Sequence, residues 1–127
     1  IKKLQQGKNI KWNGKQINAS KATYLEKGLK VSFVSDTKYS NSIVNFVKSS
    51  DIFVCEATFA DELRKKAEKY MHLTSKQSAM IAKKAKVKKL VLTHFSQRYK
   101  DTTKILSDAK EVFPNTVAAF DFMNVKI

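Results

Sequence analysis

The chain of 127 residues contains 25 Lys and Arg against 11 Asp and Glu, which gives a formal net charge of +14. Its hydrophobic fraction of 43% is typical of one folded domain, and no apolar run approaches the roughly 20 residues that a membrane helix needs. The single cysteine excludes an internal disulfide and suits a reducing compartment such as the cytoplasm, and two histidines are too few for a self-contained multi-histidine metal site.

Residues 1–28 differ in composition from the rest of the chain. They contain all three glycines, and the pair Asn13 and Gly14 predicts a tight hairpin turn. We therefore divide the chain into a polar, turn-rich segment of residues 1–28 and a regularly patterned segment of residues 29–127.

The second segment alternates between strand and helix patterns. Apolar or alternating runs predict strands at 30–35, 52–55, 90–92, 116–120 and 123–127. Helical spacing predicts helices at 40–47, 58–70, 74–86 and from 101 or 102 to 113. The pairs Thr58 with Asp61 and Thr74 with Gln77 are typical of capping boxes. Strands separated by helices indicate an α/β fold with a largely parallel sheet.

Side chains capable of metal binding or proton transfer follow the predicted strands. Asp36, Glu56 and His94 each stand at the carboxyl end of a strand, where α/β sheets place their chemistry, and His72 precedes a capped helix that would reach the same edge. Each residue also has a structural reading. Asp36 suits a turn, a buried Glu56 needs a partner, His94 suits a satisfied core position, and His72 suits a helix cap.

Four blocks of sequence together resemble the C-terminal half of the ribonuclease Z family, the tRNA 3′-processing endonucleases of the metallo-β-lactamase fold. The blocks are Val34–Thr37, Cys55–Phe59, His72–Thr74 and Leu92–Tyr99. The resemblance implies the C-terminal half of an αββα sandwich, with a mixed sheet and flanking helices. It also implies that residues 1–28 are the end of a tRNA-binding arm or connector, and that the protein is a cytoplasmic homodimer.

The resemblance assigns roles to the residues at the strand ends. It implies that Asp36 bridges two zinc ions, that His94 is a zinc ligand, that His72 transfers a proton and that Glu56 orients His72. Two zinc ions generate a nucleophile from water at neutral pH and hold a phosphodiester. A carboxylate bound to an imidazole raises the basicity of that imidazole, which suits proton transfer.

Precursor tRNA is the substrate that the resemblance implies. Arg98 and Ser96 would contact its phosphates, since a guanidinium grips phosphate in a bidentate fashion. A net charge of +14 attracts polyanions, although nearly all of the positive charge is lysine and also suits a solvated surface.

The sequence departs from the family pattern at several points. Ser35, Cys55 and Leu73 replace the usual Gly, His and Ser, while Glu56, His72 and Thr74 remain. The His-x-His-x-Asp-His motif is absent, and Asp36 with His94 cannot hold two zinc ions alone. We therefore expect an inactive half-site that needs an N-terminal half in cis or in trans, whether the chain is a fragment, a subunit of a split enzyme or a truncated product.

Two other functions fit the same residues. A non-catalytic RNA-binding or assembly module would use the basic charge without the metal site. Another metallo-β-lactamase-type phosphodiesterase would use the metal site on a different substrate, although the block Phe95–Tyr99 favours the nuclease.

Overall fold

The computed structural model describes residues 1–126, and its first part is a small hairpin flanked by two helical turns. The elements in chain order are α1 (Lys2–Gln5), β1 (Ile10–Trp12), β2 (Lys15–Ile17) and α2 (Ala19–Ala22). Strands β1 and β2 pair antiparallel, with Trp12 opposite Lys15. Asn13 and Gly14 between them have φ angles of 47° and 73°, as a type I′ turn requires. The predicted hairpin turn is confirmed.

The larger part is a sheet with helices between its strands. Within residues 1–126 this sheet has four parallel strands in the order β3 (Val31–Val34), β4 (Ile52–Glu56), β5 (Lys89–Thr93) and β6 (Thr116–Ala118). The helices are α3 (Asn41–Phe46), α4 (Arg64–Lys69, after a 3-10 turn at Asp61–Leu63), α5 (Ser75–Ala85) and α6 (Thr103–Lys110). The α/β class is confirmed. The sheet is parallel rather than mixed over the described residues, because the antiparallel pair is confined to the hairpin.

One face of this sheet forms the core. Strand alternation places Phe53, Cys55, Leu90 and Leu92 on the same face, and all four side chains are fully buried. They form a single cluster with apolar residues of α5 and α6, among them Ile81, Ala82, Ile105 and Ala109. Burial of this face holds the carboxyl ends of the strands in fixed positions.

The opposite face of the sheet is apolar but incompletely covered. Val31 and Phe33 of β3 lie on it and are 55% and 63% exposed. On the same face, Ile52 of β4 and Val91 of β5 are buried, while Val54 of β4 and Val117 of β6 are half-buried. An apolar sheet face normally packs against a second layer, so this face is a surface suited to further protein.

Helix starts show where the sequence patterns succeed and where they fail. Thr74 and Gln77 form a complete capping box at the start of α5, as predicted. The predicted box at Thr58 and Asp61 is wrong, because the Thr58 hydroxyl is bound to Glu56 and the chain enters α4 only after the 3-10 turn.

The C-terminal part of the chain differs from the sequence expectation, and the strand predicted at 116–120 is limited to Thr116–Ala118. Helix α6 ends at Lys110, three residues before the predicted end. The strand predicted at 123–127 does not form over residues 123–126, and Ile127 lies outside the described residues. No helix within residues 1–126 is both long enough and apolar enough to span a membrane.

Candidate active site

The polar side chains at the carboxyl ends of the strands converge at one edge of the sheet. Asp36 follows β3, Glu56 ends β4, His94 follows β5, and His72 lies in the loop before α5. One possible ligand atom each from Asp36, His72 and His94 lies within 4.8 Å of the others. The structure therefore brings together all four residues that the sequence places at this edge.

The backbone is strained at two of these positions. Asp36 and His94 have φ angles of 48° and 58°, in the left-handed region that costs a residue with a Cβ roughly 1–2 kcal/mol. Residues in this region cluster at functional sites, and five other non-glycine residues of the described chain also have positive φ. The left-handed residue after β3 is Asp36 itself and not Ser35, so a serine at position 35 is compatible with this turn.

Glu56 is a fully buried carboxylate whose oxygens are completely engaged. Its Oε1 accepts a hydrogen bond from the backbone N–H of Thr37 at 2.6 Å. Its Oε2 accepts hydrogen bonds from the Thr58 hydroxyl at 2.6 Å, from His72 Nδ1 at 3.1 Å and from the Leu73 N–H at 3.2 Å. A buried carboxylate is tolerated when it is bound in this way, so Glu56 fixes the loops around it.

Glu56 also determines which ring nitrogen of His72 and of His94 is unprotonated. The proton of His72 must lie on Nδ1, since this atom donates to a carboxylate. The single proton of the Thr58 hydroxyl goes to Glu56, so Thr58 Oγ1 can only accept from His94 Nδ1, 3.0 Å away. Both histidines therefore carry their proton on Nδ1, and the lone pair of Nε2 is available to bind a metal ion or a proton.

Asp36 and His94 fit a shared cation. His94 Nε2 lies 3.5 Å from Asp36 Oδ1, so two electron-pair donors face each other. Two bonds of about 2.1 Å at a tetrahedral metal span about 3.4 Å, and carboxylate oxygen with imidazole nitrogen is a donor set that zinc accepts. His72 Nδ1 lies 3.9 Å from the same oxygen but is committed to Glu56, so Asp36 and His94 are the better ligand pair.

Arg98 lies beside this cluster on the loop after β5. Its Nε donates to the Ser96 hydroxyl at 3.1 Å, and its guanidinium lies 5.1 Å from the ring centroid of Phe59. The loop is anchored because the Tyr99 hydroxyl accepts from the Ala60 N–H at 2.8 Å. Arg98 is thus held in position while it remains exposed.

Thr58 is the site residue that sequence reasoning assigned to the wrong task. Its hydroxyl joins Glu56 to His94, whereas the sequence pattern predicted a helix cap. The signal that could have found it is its place two residues after a buried Glu at a strand end, where a hydroxyl can satisfy the carboxylate.

The unusual residues Cys55 and Leu73 do not disturb the site. The Cys55 side chain points into the core, and burial raises the pKa of its thiol to about 12, so it stays protonated and is no metal ligand. Leu73 is also buried in the core, and only its backbone N–H reaches Glu56, a contact that any non-proline residue preserves.

Comparison with known proteins identifies the class of this fold. No protein-family model matches the chain. A metallo-β-lactamase fold protein of Bacillus subtilis, YhfI, superimposes with a TM-score of 0.64 and 26% identity over 70% of this chain and 36% of its own. Human tRNase Z, short form, superimposes with a TM-score of 0.63 and 28% identity over 88% of this chain and 36% of its own. The chain therefore has the metallo-β-lactamase fold over the part that it spans.

Sequence relatives confirm the narrower resemblance. Ribonuclease Z of Treponema denticola is 50% identical over 103 residues, which are 80% of this chain and 33% of that protein. Ribonuclease Z of Archaeoglobus fulgidus is 38% identical over 127 residues, which are 98% of this chain and 42% of that protein. The chain is thus similar to the ribonuclease Z family over nearly all of its length, and it spans about a third to two fifths of these relatives.

Proposed function

We propose that this chain is the C-terminal half of a zinc-dependent endoribonuclease that removes the 3′ trailer from precursor tRNA. The main support is the convergence of Asp36, His72 and His94 around the buried Glu56, in a chain that is 38–50% identical to ribonucleases Z. The reaction is hydrolysis of one phosphodiester bond, and the tRNA keeps a 3′-hydroxyl. The proposal includes a cytoplasmic protein that acts as a homodimer.

The residues divide the work of this reaction. Asp36 Oδ1 and His94 Nε2 would hold metal, which when bound supplies Lewis-acid chemistry for activating water and neutralising phosphate charge. His72, with Nδ1 bonded to Glu56, presents Nε2 as the atom that protonates the departing 3′-oxygen. The Glu56 carboxylate stabilises the imidazolium form that carries this proton.

This chain would supply only part of the metal centre. A catalytic zinc ion uses three protein ligands, and two ions need more donors than Asp36, His72 and His94 offer. We propose that the remaining ligands come from an N-terminal half, in cis or in trans, that also covers the apolar face with Val31 and Phe33. The coverage of only 33–42% of the ribonuclease Z relatives supports this division.

The proposal is tested with two histidine variants of the protein that contains this chain. We expect His94→Ala to lower bound zinc, measured by metal analysis, because it removes a ligand. We expect His72→Ala to lower precursor-tRNA cleavage by at least about a hundredfold, the usual scale of general acid–base catalysis, while zinc content stays normal. Circular dichroism checks that both variants fold.

Two results would contradict these roles. Normal zinc content in a folded His94→Ala protein would exclude ligation by His94. Parallel loss of zinc and activity in His72→Ala would make His72 a ligand rather than the proton donor.

A non-catalytic RNA-binding module is the second candidate, and the net charge of +14 favours it. Such a module binds tRNA with a steep salt dependence and cleaves nothing even when the N-terminal half is supplied. Cleavage of precursor tRNA and of a small phosphodiester is measured side by side. A general phosphodiesterase cleaves the small phosphodiester, whereas the endoribonuclease cleaves precursor tRNA and the binding module cleaves neither.

A further inference from the structure

A groove beside His72 contains features that the metal and proton-transfer roles do not use. Its volume is about 340 Å³, and besides His72 it is lined by Thr58, Phe59, Lys66, Tyr70 and Arg98. Phe59 is 95% buried and forms the floor under the Arg98 guanidinium. The groove therefore runs from the reacting centre to helix α4 and its C-terminal end.

Two cations in this groove are free to bind an anion. Within residues 1–126, neither Lys66 nor Arg98 has a carboxylate within 4.0 Å, whereas the neighbouring Arg64 is paired with Asp61 at 2.8 Å. Arg98 uses only Nε for Ser96, so its two terminal nitrogens remain available. A guanidinium and an ammonium on one groove are suited to a phosphate group.

An exposed aromatic ring lies on the rim of the same groove. Tyr70 is 56% exposed, at the C-terminal end of α4. Lys69 Nζ is 5.9 Å from the centroid of this ring and adds positive charge at the rim. Exposed aromatic rings beside cationic grooves are the platforms on which single-stranded nucleic acids stack their bases.

The groove on the other side of His72 is less suited to RNA. It is lined by Lys38, Tyr39, Glu68 and Gln77. Glu68 would repel phosphate, and the Tyr39 hydroxyl is occupied by Lys84 Nζ at 2.8 Å. The charge pattern therefore favours the groove with Lys66 and Tyr70.

We propose that this groove binds one nucleotide of single-stranded RNA next to the scissile phosphate. Lys66 and Arg98 bind the phosphate of this nucleotide, and its base stacks on the ring of Tyr70. The inference rests on the proposed function, since it takes the RNA of that reaction as the ligand, and it adds Lys66 and Tyr70 as binding residues.

The test compares RNA binding by matched variants of the protein that contains this chain. The probe is a short fluorescein-labelled single-stranded RNA, followed by fluorescence anisotropy in excess chelator so that no cleavage occurs. A second probe has the same length and backbone but no bases. We expect Tyr70→Ala to weaken binding of the first probe about fivefold or more and to leave the abasic probe unaffected.

Variants of Lys66 and of its neighbour Lys65 test the proposed contact with phosphate. Lys66→Ala should weaken both probes and lower the slope of log K against log salt by about 0.7, the value for one lost phosphate contact to a single strand. Lys65→Ala, on the adjacent exposed position of α4, is the matched control and should change both quantities less. Tyr70→Phe should bind like the wild type, because the ring remains.

Two results would overturn the inference. One is an equal effect of Tyr70→Ala on the two probes, and the other is the same salt slope for Lys65→Ala and Lys66→Ala. Both outcomes are independent of the proposed function. A protein that cleaves precursor tRNA but shows either result lacks this nucleotide site, whereas a protein that passes the binding test and cleaves nothing retains the site and loses the proposed reaction.

Discussion

At the scale of single residues, Glu56 has the largest influence on the site. It is one buried carboxylate, yet its hydrogen bonds decide the protonated nitrogen of His72 directly and that of His94 through Thr58. Both histidines of the candidate site are thus oriented by the same carboxylate. Partners of this kind behind a metal ligand contribute strongly to metal affinity and activity.

The Thr58 hydroxyl provides a direct test of this arrangement. Thr58→Val keeps the shape but removes the link, so His94 loses the group that keeps the proton on Nδ1. We expect metal affinity or activity to fall about 10–100-fold, measured by competition with a chelator and by precursor-tRNA cleavage. Thr58→Ser keeps a hydroxyl and should restore most of both. Equal behaviour of the valine and serine variants would show that the hydroxyl has no positioning role.

At the scale of secondary structure, the sequence predicts those elements that depend on residues close together in the chain. The buried strands β4 and β5 follow from short apolar runs, and the start of α5 follows from the Thr74 and Gln77 pair. The start of α4 could not be predicted from local sequence. The Thr58 hydroxyl donates its hydrogen bond to Glu56, a contact that forms only in the folded site, and it is therefore not available to cap a helix. The convergence of Asp36, Glu56 and His94 was predictable from parallel strands, but the left-handed backbone conformation of Asp36 and His94 was not.

Helix α5 offers a prediction about capping. The Thr74 hydroxyl accepts from the Gln77 N–H and donates to Asp61, whereas Thr102 begins α6 without a side-chain cap bond. Thr74→Ala should therefore lower the free energy of unfolding by about 1–2 kcal/mol, measured by urea denaturation. Thr102→Ala is the matched control and should stay within about 0.5 kcal/mol of the wild type. Equal losses in the two variants would contradict the capping argument.

At the scale of the whole molecule, the two ends of the sheet carry different groups of polar residues. The carboxyl ends hold the site, while the amino ends are joined by Asp51. Its carboxylate accepts from the Lys30 N–H at 2.8 Å and pairs with Lys88 Nζ at 2.6 Å. Asp51 thus connects the residues just before β3, β4 and β5 at the end of the sheet remote from the candidate site.

This connection predicts a dependence of stability on acid. Hydrogen bonds from Lys88 and from the Lys30 N–H lower the pKa of Asp51 below its ordinary value of 3.8. Because the folded-state pKa is lower than the unfolded one, the contribution of Asp51 is fully present above the unfolded pKa and is lost as pH falls through the folded pKa. Thermal unfolding followed by circular dichroism should therefore show the midpoint falling as pH drops below about 4.

Asp51→Asn tests the assignment of this effect. The variant should have a lower midpoint at neutral pH and approach the wild type in strong acid, where Asp51 is protonated in both states. Asp121→Asn, at an exposed position, serves as the control and should follow the wild type throughout. A constant difference between Asp51→Asn and wild type at every pH would assign the loss to packing instead of charge.

The incompletely covered face of the sheet has a consequence for the behaviour of this chain in solution. Val31 and Phe33 form an exposed apolar patch through which copies of the chain can associate. The net charge of +14 makes those copies repel one another. Added salt shortens the reach of that repulsion to about 10 Å at 0.1 M and less above it. Higher ionic strength should therefore let the apolar faces of neighbouring copies meet.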